Sequence, residues 1–213
     1  MAITIDVISD FVCPWCWIGK RHLDTFANEA DIACRWHPYL LHPDMPEGGV
    51  DRAAFVRQKF GSDARAKELG AGVTAAAKGV GLDIDYSRVE RVPDTRDAHR
   101  LVRWAGGQGR ADAVAEGLFR AYFSEGRDIG DAAVLADIGA AAGMDRAILE
   151  GLLAGDADRD IIDAQADRAR SMGVSGVPTH IFANTVAVVG AQPIEALRQA
   201  AERVAAAGTG PGD

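Results

Sequence analysis

Two cysteines separated by two residues lie near the start of the chain, in the sequence Cys13-Pro14-Trp15-Cys16. Such a pair can bind a metal ion, form a static disulfide, or exchange electrons with another dithiol. The tetrapeptide alone is compatible with all three kinds of chemistry. The residues around it and further along the chain have to decide between them.

The residues that follow the pair favour exchange, because their apolar positions recur at helical spacing. A helix that begins here places Cys13 at its N-terminal end, where free backbone N–H groups and the helix dipole stabilise an anion. This lowers the pKa of the thiol and produces thiolate, the form that attacks a disulfide. Pro14 suits the first helical position because its missing N–H is not needed there. We therefore predict that Cys13 is the nucleophile and Cys16, one turn further, the resolving thiol.

A zinc site is the main alternative, since Cys13, Cys16, Cys34 and His37 have the spacing C-x2-C-x17-C-x2-H. However, Cys34 and His37 fall in a predicted strand, where residues three apart point to opposite faces. We expect no metal and interpret Cys34 as a small buried hydrophobic residue. Three cysteines, an odd number, argue against a secreted scaffold held by disulfides, and a static disulfide is disfavoured in the cytosol, where we expect this protein.

The composition is that of an ordinary globular protein of 213 residues, enough for one domain with an insertion. The formal charge of −8, without a basic stripe, argues against a nucleic-acid partner. No stretch reaches the ~18 apolar residues that a membrane span needs. The first ten residues, MAITIDVISD, have no secretory-signal pattern, so we expect a cytoplasmic protein. A monomer and a homodimer both remain open.

The predicted elements form an α/β architecture of the order βαβ, helical block, ββα. Alternating residues predict a first strand at residues 3–7 and a second at residues 32–41, on either side of the helix. Residues 179–183 and 185–189 predict a hairpin, and a last helix follows Pro193. Helical patterns fill residues 51–172. Their predicted N-caps are Asp51, Asp131 and Asp156, and their predicted C-terminal glycines are Gly61, Gly107 and Gly143.

Val177-Pro178-Thr179 lies at the start of the first hairpin strand. X-Pro bonds account for nearly all cis peptides in folded proteins. A cis Pro178 beside Cys13 would expose a short backbone edge that pairs with an extended thiol substrate. A proline that only begins the strand is the alternative.

Together, these features resemble the thioredoxin-like DsbA family, most closely its FrnE-like branch. The resemblance extends over nearly the whole chain, through SDFVCPWCWIGKRHL, HPDMPEGG, DTRDAHRLVRWA, LFRAYFSEGRDIGD, GVSGVPTHIF and VVGAQP. It implies a thiol–disulfide oxidoreductase in which Cys13 and Cys16 are the redox pair and Pro178 is a cis-proline beside them. The chain then divides into a discontinuous thioredoxin-like domain (1–50 and 173–207), a helical insertion (51–172) between the second and third strands, and a disordered tail (208–213).

Two departures from the family pattern modify this expectation. The classical DsbA motif has histidine where Trp15 stands, so we predict a weaker oxidant. No cysteine follows Cys34, which excludes a second redox centre. The expected substrates are proteins or small molecules with thiols or disulfides. No cofactor is expected, although glutathione or a thioredoxin system could supply reducing equivalents.

Two other functions remain as alternatives. Kappa-class glutathione transferases and 2-hydroxychromene-2-carboxylate isomerases look similar in architecture, but they have serine in place of Cys13 and lack the second cysteine. A non-enzymatic, chaperone-like binding protein would use the cleft and the helical block to hold apolar clients.

Several further residues are predicted to surround the pair. Asp10 is placed to transfer a proton, unless it only binds backbone N–H groups. His42, at the end of the second strand, and Arg96 and His99, on an insertion helix, are placed to meet substrate, with pairing of Arg96 to Asp94 or Asp97 as the alternative. The full set of predicted substrate-binding residues is Pro14, Trp15, Val177, Thr179, His42, Arg96 and His99.

Overall fold

The computed structural model describes residues 2–208. Its elements, in chain order, are β1 (Ile3–Ser9), α1 (Pro14–Ala27), β2 (Ile32–Pro38), β3 (Val50–Asp51), α2 (Arg52–Phe60), α3 (Asp63–Gly79), β4 (Arg91–Val92), α4 (Arg96–Gly106), α5 (Ala111–Phe123), α6 (Ala132–Ala141), α7 (Arg146–Leu153), α8 (Arg159–Ser171), β5 (Thr179–Phe182), β6 (Val186–Val189) and α9 (Ile194–Gly208). No helix within this range is long and apolar enough to cross a membrane.

A four-stranded sheet with the order β2-β1-β5-β6 carries the fold. β1 is parallel to β2 and antiparallel to β5, and β5 and β6 form a hairpin. Because side chains alternate along a strand, Ile5 and Val7 pack under α1 and α9 on one face. Ile8 points to the other face, where it packs with Tyr39 and with Ala169 of α8. The predicted α/β fold class is confirmed.

The helices between β2 and β5 share one core with the start of α1. Leu101, Phe119 and Leu135 are fully buried there, in the same cluster as Cys13 and Cys16. The cysteine pair therefore lies where the sheet unit meets the helical block.

A buried arginine fixes the position of α4 in that block. The Arg100 guanidinium is completely buried and donates to the carbonyls of Leu152, Gly155 and Ala157 at 2.6–2.8 Å. It also pairs with Asp97 at 2.8 Å. Since these carbonyls belong to the last turn of α7 and to the segment after it, Arg100 ties α4 to the end of α7 and the α7–α8 connection.

Several predicted boundaries are correct and others are not. Asp51 and Asp131 cap α2 and α6 with their side chains, and Gly61 ends α2 with a positive φ of 80°. Asp156, in contrast, precedes α8 without capping it, because the neighbouring carbonyls of Gly155 and Ala157 bind Arg100 and the helix begins after Asp158.

Other differences concern short or terminal segments. The second strand ends at Pro38 instead of residue 41, and the hairpin turn includes Ala183, whose φ is 46°. β3 and β4 form a two-stranded ribbon that was not predicted, because two residues are too few to show alternation. Gly208, predicted as the start of the tail, is the last residue of α9, and residues 209–213 lie outside the described residues.

Candidate active site

Cys13 is the N-cap of α1, and Pro14 is the first residue of the helix. The Cys13 backbone is extended (φ −98°, ψ 111°), and its N–H donates to the carbonyl of Asp10 at 3.1 Å. The Cys16 N–H donates to the Cys13 carbonyl at 3.1 Å and begins the helical pattern. The Cys13 sulfur therefore lies beside the N-terminal N–H groups of α1, where a negative charge is stabilised.

The two thiols are free, and both are buried, but their acidities differ. The hydrogen bond with the Cys16 thiol lowers the pKa of Cys13, against the opposing effect of burial, and the backbone N–H groups of Cys16 and Trp15 act in the same sense as the thiol. Burial raises the pKa of Cys16 well above its usual range, and the neighbouring Cys13 raises it further. The negative charge of the reduced pair therefore belongs on Cys13.

Pro178, far from the cysteine pair in sequence, lies beside it in the structure. The Val177–Pro178 peptide is cis, and the Cys13 thiol donates to the carbonyl of Val177, with 3.7 Å between Sγ and oxygen. The carbonyl of Pro178 accepts from Gly190 N–H at 2.7 Å, which fixes the loop to the end of β6.

Gly19 permits this approach and was not predicted as a site residue. A Cβ at Gly19 would lie 2.8 Å from Cγ of Pro178 and 3.4 Å from Cε1 of His180. The only signal in the sequence is an isolated glycine within a helical pattern, which often marks close packing.

The two tryptophans near the cysteine pair, Trp15 and Trp17, differ in exposure. Trp15 is 41% exposed next to Cys13, whereas Trp17 is buried and stacks on Phe119 and Phe123. The indole N–H of Trp17 donates to Glu116 at 3.2 Å. An exposed aromatic surface thus adjoins the buried thiols.

Asp10 is buried beside the pair, and it binds a backbone N–H as the alternative for this residue expected. Its Oδ2 accepts from the Leu41 N–H at 2.7 Å, as a backbone-binding carboxylate does. Its Oδ1, however, has no hydrogen-bond partner in the described part of the chain and lies 3.6 Å from Nε2 of His99. The hydroxyl of Ser9 and the backbone N–H of Asp10 adjoin the Cys16 sulfur and lower its pKa slightly against burial.

Lys59 and Tyr86 of the helical block lie within electrostatic range of Cys13, and His42, after β2, lies within range of Lys59. His42 is half-buried with its ring edge-on to Phe55 at 4.8 Å, and burial and then Lys59 lower its pKa. Burial lowers the pKa of Lys59, and attraction to Cys13 opposes this. Burial raises the pKa of Tyr86 to about 12, and Cys13 adds to the rise. No local pattern in the sequence predicted Lys59 or Tyr86.

Three predicted substrate-binding residues are engaged inside the protein. Arg96 donates to Asp94 at 3.0 Å, to Asp163 at 2.7 Å and to the Pro43 carbonyl at 2.8 Å, so its guanidinium is not available to a substrate carboxylate. His99 is buried against the Phe11 ring at 4.8 Å and faces Asp10 instead of an open cleft.

Thr179 is the third of these residues. It is buried, its hydroxyl donates to the Gly176 carbonyl at 2.8 Å, and it is paired with Ile8 and Val189 inside the sheet. Thr179 therefore offers a substrate neither its side chain nor an open strand edge.

The residues of the zinc-like spacing are not brought together. Within residues 2–208, no three His, Cys, Asp or Glu side chains are close enough to hold one metal ion. His37 binds Asp6 at 2.7 Å, and Cys34 is half-buried on β2, where burial raises its pKa to about 12.

The sequence of the whole chain decides the family. The family described as "DSBA-like thioredoxin domain" matches residues 4–202. The chain belongs to this family. The DsbA-like fold thus includes the helical block, and the FrnE-like branch stays a prediction.

Three solved structures resemble this DsbA-like chain. A probable DsbA oxidoreductase from Streptomyces coelicolor is 26% identical, with a TM-score of 0.86 over 99% of this chain and 92% of that one. A 2-hydroxychromene-2-carboxylate isomerase is 20% identical, with a TM-score of 0.71 over 95% and 96%. The cytosolic disulfide reductase DsbM from Pseudomonas aeruginosa, with GSH, is 19% identical, with a TM-score of 0.67 over 94% and 99%. The last two show a shared fold alone.

Proposed function

We propose that this DsbA-like protein is an enzyme that exchanges dithiols and disulfides through Cys13 and Cys16. The observation that carries the proposal is the position of Cys13 at the N-cap of α1, beside Cys16 and 3.7 Å from the Val177 carbonyl oxygen. The direction of the pKa changes, lowered at Cys13 and raised at Cys16, agrees with this position. A nucleophile that ionises readily beside a thiol that keeps its proton is what a two-step exchange requires.

In the reducing direction, the Cys13 thiolate attacks one sulfur of a substrate disulfide. A bond forms between Cys13 and that sulfur, and the other substrate sulfur leaves with the electron pair and takes up a proton. Cys16 then loses its proton and attacks Cys13, which releases the second substrate thiol and leaves a Cys13–Cys16 disulfide. Oxidation of a substrate dithiol is the same sequence in reverse, and the direction depends on the potential.

Substrate would bind between Trp15 and the Val177–Pro178 segment. Trp15 offers an exposed ring for apolar groups, and the Val177 carbonyl, 3.7 Å from the Cys13 sulfur, offers an acceptor to a peptide N–H. Asp10 is the proposed acceptor of the Cys16 proton, since one of its oxygens already lacks a partner among residues 2–208.

Glutathione is the small thiol that we propose as a reductant, with a thioredoxin system as the alternative. The fold shared with a disulfide reductase solved with GSH supports the choice. The same neighbour is named cytosolic, which supports the cytoplasmic location proposed for this chain.

The test is an equilibrium titration against glutathione, with thiol trapping and mass measurement. We expect the parental chain to form one intramolecular disulfide, Cys16→Ser to accumulate a glutathione adduct on Cys13, and Cys13→Ser to form neither. Cys34→Ser is the matched control and should behave as the parental chain, because a thiol with a pKa of about 12 stays protonated at neutral pH. Exchange that persists in Cys13→Ser would refute the proposal.

A second candidate is a glutathione-dependent isomerase or transferase, which the fold shared with 2-hydroxychromene-2-carboxylate isomerase favours. Glutathione conjugation or isomerisation that survives Cys13→Ser would support it. Suppression of client aggregation by a Cys13→Ser/Cys16→Ser chain would instead support the chaperone-like alternative.

A further inference from the structure

The proposed exchange requires a route for one proton. Cys16 must lose its proton before it attacks the mixed disulfide, yet Cys16 is only 2% exposed. Substrate bound beside Trp15 and Val177 would also cover the side on which the thiols approach the surface. The proton must therefore travel through the interior of the protein, away from the substrate.

Asp10 provides the first step of such a route. Its backbone N–H adjoins the Cys16 sulfur, and its side chain is 1% exposed. Only one carboxylate oxygen is occupied, by the Leu41 N–H. A buried carboxylate oxygen without a partner is unfavourable, and it is also free to accept a proton.

The free oxygen of Asp10 faces His99. Its Oδ1 lies 3.6 Å from Nε2 of His99, and in the described range neither atom has a hydrogen-bond partner. A buried carboxylate oxygen and a buried imidazole nitrogen, both unpaired and placed face to face, are linked when a proton is shared or a water bridges them. The Phe11 ring, at 4.8 Å, holds the imidazole in this orientation.

His99 also lines a cleft beside β2, an edge strand of the four-stranded sheet. The cleft measures about 600 Å³, is bordered by β2 and the helices α1, α4, α5 and α8, and opens to solvent at Arg103 and Gly109. Its lining includes neither Cys13 nor Pro178. His99 is therefore placed between the buried Asp10 and a second, substrate-free opening.

We propose that His99 and this cleft form a rear proton path that connects Cys16, through Asp10, with solvent. The inference rests on the proposed function and deepens it. The Cys16 S–H bond breaks and the proton binds to Asp10. From there it passes to the lone pair of Nε2 on His99, and the ring releases a proton into the cleft. The Cys16 sulfur keeps the electron pair, forms the S–S bond with Cys13, and the substrate sulfur departs with the pair of the broken disulfide. In the reverse direction the path returns the proton.

Other charged groups near the cleft are already paired. Arg35 and His37 bind Asp6, Asp24 and Asp112 bind Lys20, and Arg103 lies 3.5 Å from Asp158. Asp10 is the carboxylate that faces Nε2 of His99 directly. His99 touches no reacting atom and acts through Asp10.

The test separates the two chemical steps by using 5,5′-dithiobis(2-nitrobenzoate), which releases one coloured thiol when Cys13 attacks and a second when Cys16 resolves. We expect His99→Phe, which keeps a ring against Phe11, to leave the first release unchanged. The second release should be slower by about tenfold or more, and its pH profile should change. The effect is expected to be smaller than that of a direct acid–base group, since His99 acts through Asp10. His99→Asn should give the same pattern, and Arg120→Gln, an exposed residue of α5 outside the cleft lining, should match the parental chain.

Chemical rescue distinguishes proton transfer from a structural role. Imidazole added to His99→Gly should accelerate the second release through the cleft and leave the parental second release unchanged. The inference is overturned if the His99 variants resolve at the parental rate at every pH. It is also overturned if both releases slow equally and imidazole restores neither. Absence of two-step release in the parental chain would instead refute the proposed function.

Discussion

The chemistry of Cys13 is set by groups within a few residues of it. The start of α1, the Cys16 thiol and the backbone N–H groups of the motif all favour the thiolate. These are local features, and for this reason the spacing of CPWC alone could predict a thiol at the N-terminal end of a helix, which is where Cys13 lies. The roles of nucleophile and resolving thiol stay a proposal. The approach of Asp10 to His99 was not predictable, because it depends on how α4 packs and no local pattern encodes that packing.

Trp15 itself brings no charge to the thiolate, which gives the first prediction at this scale. In Trp15→His the imidazolium would stand at the 41% exposed position beside Cys13 and stabilise its negative charge. We expect the acid dissociation constant of the Cys13 thiol to rise by up to about tenfold, or ~1.4 kcal/mol. A corresponding gain in the equilibrium constant for reduction of the disulfide raises the potential by ~30 mV. Thiolate absorbance against pH and equilibration with glutathione measure the two effects.

Trp15→Phe is the matched control, because it removes the indole without adding a charge. Its thiol acidity should stay at the parental value. If Trp15→His also stays at the parental value, the charge at this position does not govern the oxidising strength, and the expected weakness relative to the classical enzyme loses its cause.

Among the elements, α1 begins at the cysteine pair and β5 begins directly after Pro178. The packing of α1 against the start of β5 therefore determines how close Pro178 comes to the thiols. The alternation in β1, the helical spacing of α1 and the hairpin were predicted because each is a repeating local pattern. The ribbon of β3 and β4 and the burial of Thr179 were not, because pairing partners distant in the chain determine them. Gly19 is the residue through which α1 contacts the loop before β5.

Gly19→Ala tests this contact. Alanine favours a helix over glycine by up to about 1 kcal/mol. The added Cβ, however, would lie 2.8 Å from Pro178, whose carbonyl is held by the Gly190 N–H, so the ring cannot move aside freely. We expect the steric term to exceed the helical gain, with a loss of roughly 1–3 kcal/mol in the free energy of unfolding. Chemical denaturation measures the loss, and reaction of Cys13 with oxidised glutathione should slow.

Gly72→Ala is the control, since Gly72 lies in α3 with open space around its missing side chain. That variant should gain stability, by up to about 1 kcal/mol. Equal stability changes in the Gly19 and Gly72 variants would show that contact with Pro178 does not limit position 19.

At the scale of the whole molecule, the sheet and the helical block are joined through one core. Phe11 and Trp17 from the β1–α1 segment pack with Leu101 and Phe119 of the block. The block thereby contributes Lys59 and His99 to the surroundings of the thiols. The domain boundaries at residues 50 and 173 stay a prediction, because a shared core leaves no gap between the two parts.

Global stability should depend on pH through His180, a histidine of β5 that the exchange does not use. It is 1% exposed, and neither ring nitrogen has a hydrogen-bond partner among residues 2–208. Burial, and to a lesser extent the nearby His22, lowers its pKa from 6.5 to about 4. The unfolded chain therefore binds a proton near pH 6.5 that the folded chain binds only near pH 4, so acid favours unfolding across this window. The loss between neutral pH and pH 4 should be roughly 3 kcal/mol.

His180→Leu removes that titration and places an apolar side chain of similar size under α1. We expect its free energy of unfolding, measured by denaturant titration, to fall less than that of the parental chain between pH 7 and pH 4. His42→Gln is the control, because burial lowers the pKa of half-buried His42 in the same direction and its removal should flatten the curve only slightly. Burial raises the pKa of Asp6, but the hydrogen bonds and charges of Arg35 and His37 outweigh it and lower the pKa from 3.8. Asp6 therefore loses its contribution to stability below the pH window in which His180 acts. A parental chain as stable at pH 4.5 as at pH 7 would therefore contradict the assignment of the acid sensitivity to His180.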